Sequence, residues 1–169
     1  MALPTTYTDQ NDTGCCAVPN IAEWDQQEYV FNDRLFVRMH TRSFLFVPLN
    51  MTKIMAALQQ VAAHAGAELP PQQVMILSRD ISPWKAEQLY GVSKPIPNAD
   101  MVILNGTYIT KVFEGPYKDA RKWAQAMHSF AASRSQQITD LYFDYTTCPK
   151  CAKRSGKNYV YGIAKVATS

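Results

Sequence analysis

Four cysteines stand in two local groups, Cys15-Cys16 and Cys148-x-x-Cys151. Two thiolates at C-x-x-C spacing can grip one metal ion, and this spacing is a frequent half of a zinc site. No second C-x-x-C is present, so the other half would come from the adjacent pair Cys15 and Cys16. Four sulfurs would then hold a tetrahedral structural zinc that staples the start of the chain to its last hairpin. Free or redox-active thiols are the competing reading: Lys150, Lys153 and Arg154 would lower a thiol pKa. A low-pKa Cys148 also wants a helix N-terminus, whereas the stretch after it reads as a basic loop. A disulfide is the third reading, and a reducing compartment disfavours it. Apart from the zinc, no cofactor is required.

The second set is carboxylates and aromatic rings. Alternate side chains of a strand share a face. Asp140, Tyr142 and Asp144 therefore line up together, with Leu141 and Phe143 opposite. Tyr108, Thr110, Val112 and Glu114 share a face in the same way. A pocket built from Tyr108, Tyr142, Tyr117 and Trp123 would stack on a flat aromatic or cationic guest. A carboxylate beneath those rings could pair with a cation or align water against an electrophilic carbon. A tyrosine hydroxyl could donate to the leaving oxygen, and apolar surroundings would raise the carboxyl pKa. The catalytic candidates are thus Asp140, Glu114 and Tyr142. The ligand-binding candidates are Tyr108, Tyr117, Trp123 and Asp144, with Glu87 and Tyr90 on an opposite wall. Plainer roles stand beside these: Trp123 as core, Asp140 at a helix end or turn, Asp144 as a solvated loop acid, Glu114 favouring a helix N-terminus. His40, His64 and His128 are not spaced for a triad, and no glycine loop cradles phosphate.

Elements must position these groups. Residues 1–28 read as an irregular leader docked by Trp24. Residues 34–49 are dense in Phe, Val and Leu and predict a strand. Asn50 caps a helix over 52–65, which Gly66 ends. The Pro70-Pro71 pair breaks the chain, and short strands follow over 74–77 and 87–93. Asn105-Gly106 predicts a turn, then a strand over 108–114. Gly115-Pro116 opens a second helix whose inner face is Ala120, Trp123, Ala124, Met127, Phe130 and Ala131. Strands over 141–145 and 159–166 close the chain. The predicted fold is α+β: a duplicated β-α-β-β unit, an antiparallel sheet with two helices on one side and a ligand groove at the seam. One domain spans 29–169, with repeats over 34–95 and 101–166.

Composition narrows the function classes. The chain has 169 residues, 47% hydrophobic and 18% charged, which excludes disorder for most of it. A net charge of +3 is too mild for a dedicated nucleic-acid binder. The basic residues Lys150, Lys153, Arg154, Lys157 and Lys165 follow Cys148 with no acid among them, and read as a solvated stretch. No apolar run approaches the roughly 20 residues that span a bilayer. The polar start lacks an apolar signal core. The expectation is a soluble cytoplasmic protein with a small-molecule partner, no membrane and no direct nucleic-acid contact. Its oligomeric state is open.

The run Thr107-Tyr108-Ile109-Thr110-Lys111-Val112-Phe113-Glu114-Gly115-Pro116-Tyr117, followed by Trp123, resembles the second half of GyrI-like small-molecule-binding domains. The duplicated unit and the length fit as well, over about 33–166. That family includes effector domains of drug-sensing transcription regulators, gyrase inhibitors and stand-alone hydrolases that open the cyclopropane of DNA-alkylating natural products. The resemblance implies a deep aromatic pocket containing an acidic residue. Asp140, before Leu141-Tyr142-Phe143, would stand where the family often has Glu, one methylene shorter. With no helix-turn-helix segment apparent, a stand-alone member is expected. It would bind bulky hydrophobic or aromatic molecules between the two repeats, and two versions of that role stand open: hydrolysis of a strained electrophile such as a cyclopropane, or binding alone as a drug sink or sensor. The stretch 145–153 with its Cys pair departs from the family pattern. The alternatives are a zinc or thiol-redox protein working through Cys148-x-x-Cys151, or a gyrase-type protein-interaction module.

Overall fold

Two hydrophobic periods alternate along the chain, near 2 for strands and near 3.6 for helices. They generate, in order, α1 (Ile21–Trp24), β1 (Gln27–Phe44), β2 (Val47–Pro48), α2 (Met51–His64), β3 (Ile76–Ser82), β4 (Lys85–Gly91), β5 (Met101–Glu114), α3 (Ala120–Ser133), β6 (Gln136–Tyr145), α4 (Pro149–Ser155) and β7 (Tyr159–Thr168). The computed structural model describes residues 3–11, 16–147 and 149–168. The fold is α+β with antiparallel strands throughout. The chain divides into two units, residues 32–105 and residues 1–31 with 106–169.

In the unit of residues 32–105 the strands pair in the order β2-β1-β4-β3. Leu35, Val37 and Met39 alternate with Phe36, Arg38 and His40, so one face of β1 is apolar and the other carries charge. The apolar face packs with Tyr90 against Leu58 and Ala62 of α2. Helix α2 ends as its glycine predicts. Gly66 takes φ +62°, its N–H donates to Ala63 O (3.1 Å), and Ala67 N–H donates to Ala62 O (2.9 Å). Its start differs from expectation. The Asn50 side chain makes no cap; its Oδ1 accepts from Arg42 N–H instead (2.8 Å).

In the unit of residues 1–31 and 106–169 the order is β6-β7-β5. Leaving β2 aside, the strands of each repeat lie in the order first, third, second (β1-β4-β3 and β5-β7-β6), which is the duplicated β-α-β-β pattern. Trp123, Met127 and Ala131 of α3 pack on Ile109, Phe113, Val160 and Ala164. Fully burying one such apolar side chain contributes about 1.5–3 kcal/mol. Gly162 lies under this helix; a Cβ there would meet Met127 Sδ at 2.6 Å, so any larger residue would push the Met127 side chain aside.

Several local expectations are corrected. The single strand over 34–49 is β1, a tight turn at Leu45-Phe46 and the two-residue β2. Both turn residues adopt left-handed φ (48° and 70°) without the glycine or asparagine that signals such turns. Asn105-Gly106 is no turn but lies inside β5, where Asn105 Oδ1 accepts from Asp33 N–H (2.7 Å). A turn dipeptide is a local preference, and ladder pairing on both sides overrides it. Residues after Gly115-Pro116 make a short 3₁₀ turn (Tyr117–Asp119) before α3. The expected basic loop contains α4.

Candidate functional site

The register of β7 with its neighbours builds one surface residue by residue. Tyr108 faces Lys165, which faces Asp140. Thr110 faces Ile163, which faces Tyr142; Val112 faces Tyr161, which faces Asp144. Directly opposed residues share a face, so these rows lie on the side of the strands away from α3. Asp140, Tyr142 and Asp144 are therefore on one face with Tyr108 and Thr110, as their spacing predicts. Asp144 is 1% exposed rather than a solvated loop acid, and Tyr142 is buried beside it along β6. Burial, with Asp144 alongside, pushes the Tyr161 phenol far up, so it stays a hydrogen-bond donor. Asp140 is half-buried at a bulge between Ile138 and Asp140, where Thr139 Oγ1 donates to its Oδ2 (3.4 Å).

The leader covers this surface. Trp24 is fully buried and lies on the Tyr161 ring (5.4 Å between centroids, 15° between planes). The Thr110 hydroxyl donates to Trp24 O (2.5 Å), the Tyr161 hydroxyl to Thr6 O (2.7 Å), and Val112 N–H to Asp25 Oδ1 (3.1 Å). Phe31 stacks on Tyr108 at 4.1 Å. The leader is thus docked by Trp24, as expected. What sequence reasoning missed is that it docks on the tyrosine and carboxylate face itself.

The expected four-ring pocket is not assembled. Trp123 stacks on Phe113 in the core beneath α3 (5.8 Å). Tyr117 packs edge-on against Tyr145 and donates its hydroxyl to Thr147 O (2.7 Å). Both lie on the α3 side, opposite Tyr108 and Tyr142. Glu114 is exposed at the end of β5 and faces Tyr159. Tyr159 and Lys165 are six residues apart on β7, so Glu114 and Asp140 are about 20 Å apart along the strand. They cannot serve one reacting centre. Glu114 instead borders a cleft of about 190 Å³ with Gly115, Lys157 and Asn158. That is below the roughly 300 Å³ of a pocket for a bulky guest. Asn158 Nδ2 donates to Gly115 O (2.7 Å) at the cleft wall.

Glu87 and Tyr90 do not form one wall, because three residues apart on a strand means opposite faces. Tyr90 packs under α2, where burial, with Glu68 adding to it, raises its phenol pKa. Glu87 is 2% exposed and has both oxygens engaged. Arg38 Nη1 donates to Oε1 (3.3 Å), and Arg79 Nη2 and Nε donate to Oε2 (2.6 and 3.0 Å). Arg38 also forks onto Asp100 (2.9 and 3.2 Å). That pairing raises the guanidinium and holds the Asp100 carboxyl below its usual range. His40 faces Glu87 across the ladder, and burial, with Lys85 and Arg38 nearby, lowers its pKa. With its charge already matched by two guanidinium groups, this carboxylate is a structural partner of the arginines rather than a counter-charge for a cationic guest. The basic alternation Arg38, His40, Arg42 in β1 was the signal for this cluster.

Of the cysteines, Cys15 and Cys148 lie outside the described residues. Cys16 is half-buried and Cys151 is buried on α4. Among the described residues no group of three or more His, Cys, Asp or Glu is gathered to hold a metal ion. Among them, too, no helix is long and apolar enough to cross a membrane.

Residues 6–166 match the family model described as bacterial hydrolase. No curated protein matches the chain. Among solved structures, the C-terminal domain of EcmrR is similar, with a TM-score of 0.67 at 13% identity over 86% of this chain and 99% of that one. A hydrolase from Listeria innocua is similar with a TM-score of 0.60 at 13% identity, over 85% of this chain and 92% of that one. SAV2435, solved with tetraphenylphosphonium bound, is similar with a TM-score of 0.51 at 11% identity, over 85% and 94%. At these identities the likeness is one of fold, and it fits the GyrI-like fold of small-molecule-binding domains.

Proposed function

The chain belongs to the bacterial hydrolase family, and from that premise we propose that it binds bulky hydrophobic or aromatic small molecules and hydrolyses a strained electrophile such as a cyclopropane. One observation carries the reading: Asp140, Tyr142 and Asp144 share a face with Tyr108 and Tyr161, and Trp24 already lies flat on Tyr161. The face is thus of the kind that takes a flat aromatic ring, with carboxylates beside it. The tetraphenylphosphonium bound to SAV2435 supports a bulky aromatic guest for this fold. A guest on this face takes the place of the Trp24 indole, so binding releases the leader.

The chemistry follows from the spacing. Asp140 and Tyr142 are two residues apart on one strand face, about 7 Å, room for a reacting carbon and a water between them. Asp140 takes a proton as the water oxygen bonds to a ring carbon. The ring C–C bond breaks, and its electron pair moves onto a carbonyl conjugated with the ring. The Tyr142 hydroxyl donates a hydrogen bond to that oxygen. Asp140 then releases its proton to solvent and the oxyanion takes one up, which restores the carboxylate, so the net change is addition of water.

The test is turnover of a cyclopropane-bearing alkylating compound, with protein well below substrate, products being followed by mass spectrometry. Water addition beyond one equivalent is expected. Asp140→Asn and Tyr142→Phe should each lower kcat by about 10²–10⁴ with melting temperature preserved. Trp24 emission should shift to the red as tetraphenylphosphonium is titrated in. Absence of both turnover and binding overturns the reading; binding without turnover reduces it to sequestration or sensing.

A further inference from the structure

The end of the residue 32–105 unit that carries the β1–β2 turn exposes an apolar tip. Phe44, Leu45, Phe46, Val47 and Leu49 are 58%, 59%, 49%, 61% and 67% exposed, and Trp84 of the β3–β4 turn is 56% exposed. The two turns are tied into one surface. Ser43 N–H donates to Trp84 O (2.8 Å), Phe46 N–H to Pro83 O (2.9 Å), and the Phe44 and Trp84 rings are 5.7 Å apart. A contiguous patch of this kind on a soluble domain marks an interaction surface.

The charges around the tip say what it meets. Arg42 and Lys85 are directly opposed across β1 and β4. Like charges in that position repel unless an anion lies between or above them. Helix α2 starts two residues after Leu49, with no acid in its first turn and Lys53 within it. Its partial positive end is therefore reinforced rather than neutralised. On β3 the acid nearest the tip is Asp80, which faces Ala86 rather than either cation. An apolar tip carrying a tryptophan, ringed by cations and a helix N-terminus, has the chemistry of a bilayer interface with anionic headgroups. Strand addition by a protein partner is the poorer fit: β2 is two residues long and includes Pro48, which cannot donate to a ladder.

We propose that this tip docks the protein on an anionic lipid surface, inserting Leu45, Phe46 and Trp84 shallowly while Arg42, Lys53 and Lys85 contact lipid phosphates. The proposal is independent of the hydrolase reading.

The experiment sediments the full chain with vesicles of phosphatidylcholine alone and of phosphatidylcholine with about one-third phosphatidylglycerol. Binding to the anionic vesicles, weakened by salt, is expected. Trp84 emission should shift to the blue, because Trp24 and Trp123 are already buried; Trp84→Phe should remove the shift. The double substitution Leu45→Asn with Phe46→Gly suits the left-handed turn, so the variant stays folded. It should bind vesicles at least tenfold more weakly. Arg42→Gln and Lys85→Gln should each weaken binding about fivefold. Three outcomes overturn the proposal: no sedimentation with anionic vesicles, equal sedimentation of the turn variant, or a dimer in solution that the turn variant dissociates without any vesicle binding. The last assigns the tip to a second copy of the chain.

Discussion

Replacing Glu87 by Gln separates a structural carboxylate from a ligand-binding one. Glu87 is 2% exposed and accepts from two arginines. Breaking a buried ion pair by removing one partner costs about 3–5 kcal/mol. The side chains of Arg38 and Arg79 are 35% and 33% exposed, so water reaches them once the carboxylate is gone. Glutamine also keeps one acceptor. Discounting for both, the expected loss is about 2–3 kcal/mol, which lowers Tm by about 5–10 °C for a chain of this size. Arg79→Gln, which removes the two shorter contacts to the buried carboxylate, should cost more than Arg38→Gln, which removes one contact to it at 3.3 Å and a solvent-exposed fork onto Asp100 that contributes little. The Glu87→Gln/Arg79→Gln double variant should fall short of additivity by about 1 kcal/mol, because both changes remove the same interaction. The pH dependence has a defined sign. Burial, with Lys85 and Arg38, lowers the folded-state pKa of His40 below its ordinary 6.5, and Glu87 partly opposes the shift. The unfolded chain therefore takes up a proton first, and stability falls as pH drops through about 6.5. In Glu87→Gln the His40 pKa falls further and the loss is steeper. Urea titrations at several pH values, with His40 followed by NMR, measure all of this. A Glu87→Gln protein within about 0.5 kcal/mol of the parent, or one that loses tetraphenylphosphonium binding at unchanged Tm, refutes the assignment.

Trp24→Ala should destabilise the residue 1–31 and 106–169 unit by about 3–5 kcal/mol, since the ring is fully buried on Tyr161; Trp24→Phe keeps a stack and should lose less, and limited proteolysis of the leader reads the difference. Gly162→Ala should cost about 1–3 kcal/mol by calorimetry, because its Cβ would meet Met127 Sδ at 2.6 Å and Phe113 Cε2 at 3.0 Å.

The strands and helices were legible because their periods are long and regular. The alternation over Tyr108–Glu114 and Asp140–Asp144 gave the correct face for every residue on it. What strand parity could not give was the side on which a helix residue falls. Trp123 was therefore grouped with Tyr108 although a sheet separates them. Turn chemistry misled twice, since Asn105-Gly106 is consumed by β5 and the real turn is made by Leu45-Phe46. Long-range polar contacts were out of reach of any spacing argument. The Thr110 hydroxyl meets the Trp24 carbonyl across 86 residues, and Arg38 meets Glu87 across 49. The covering of the tyrosine face by the leader depends on such contacts, so only the docking residue Trp24 was visible beforehand.

The placement of glycine sharpens the case for the exposed tip. At the end of α2 the chain needs a left-handed residue and has Gly66 at φ +62°. At the β1–β2 turn it needs two and has Leu45 and Phe46 at 48° and 70°. Left-handed geometry costs a side chain with a Cβ about 1–2 kcal/mol per residue. Both side chains are also about half exposed, so little burial within the fold offsets that cost. A sequence tuned for folding alone would place Asn-Gly at this turn. Left-handed backbone without glycine also occurs at the polar residues Gln26, Asp33, Asn98 and Ser135, but at Leu45-Phe46 it falls on two consecutive exposed apolar residues with opposed cations behind them, and local disagreement of that kind belongs to a functional surface. A bilayer supplies the missing compensation, because the exposed apolar area is buried there and the facing cations gain counter-charges. Bulky hydrophobic guests partition into the same phase, so a protein held at the lipid surface meets them at higher local concentration than in bulk water. Vesicle binding without turnover would leave the docking surface standing and remove the hydrolase reading; turnover without vesicle binding would do the reverse.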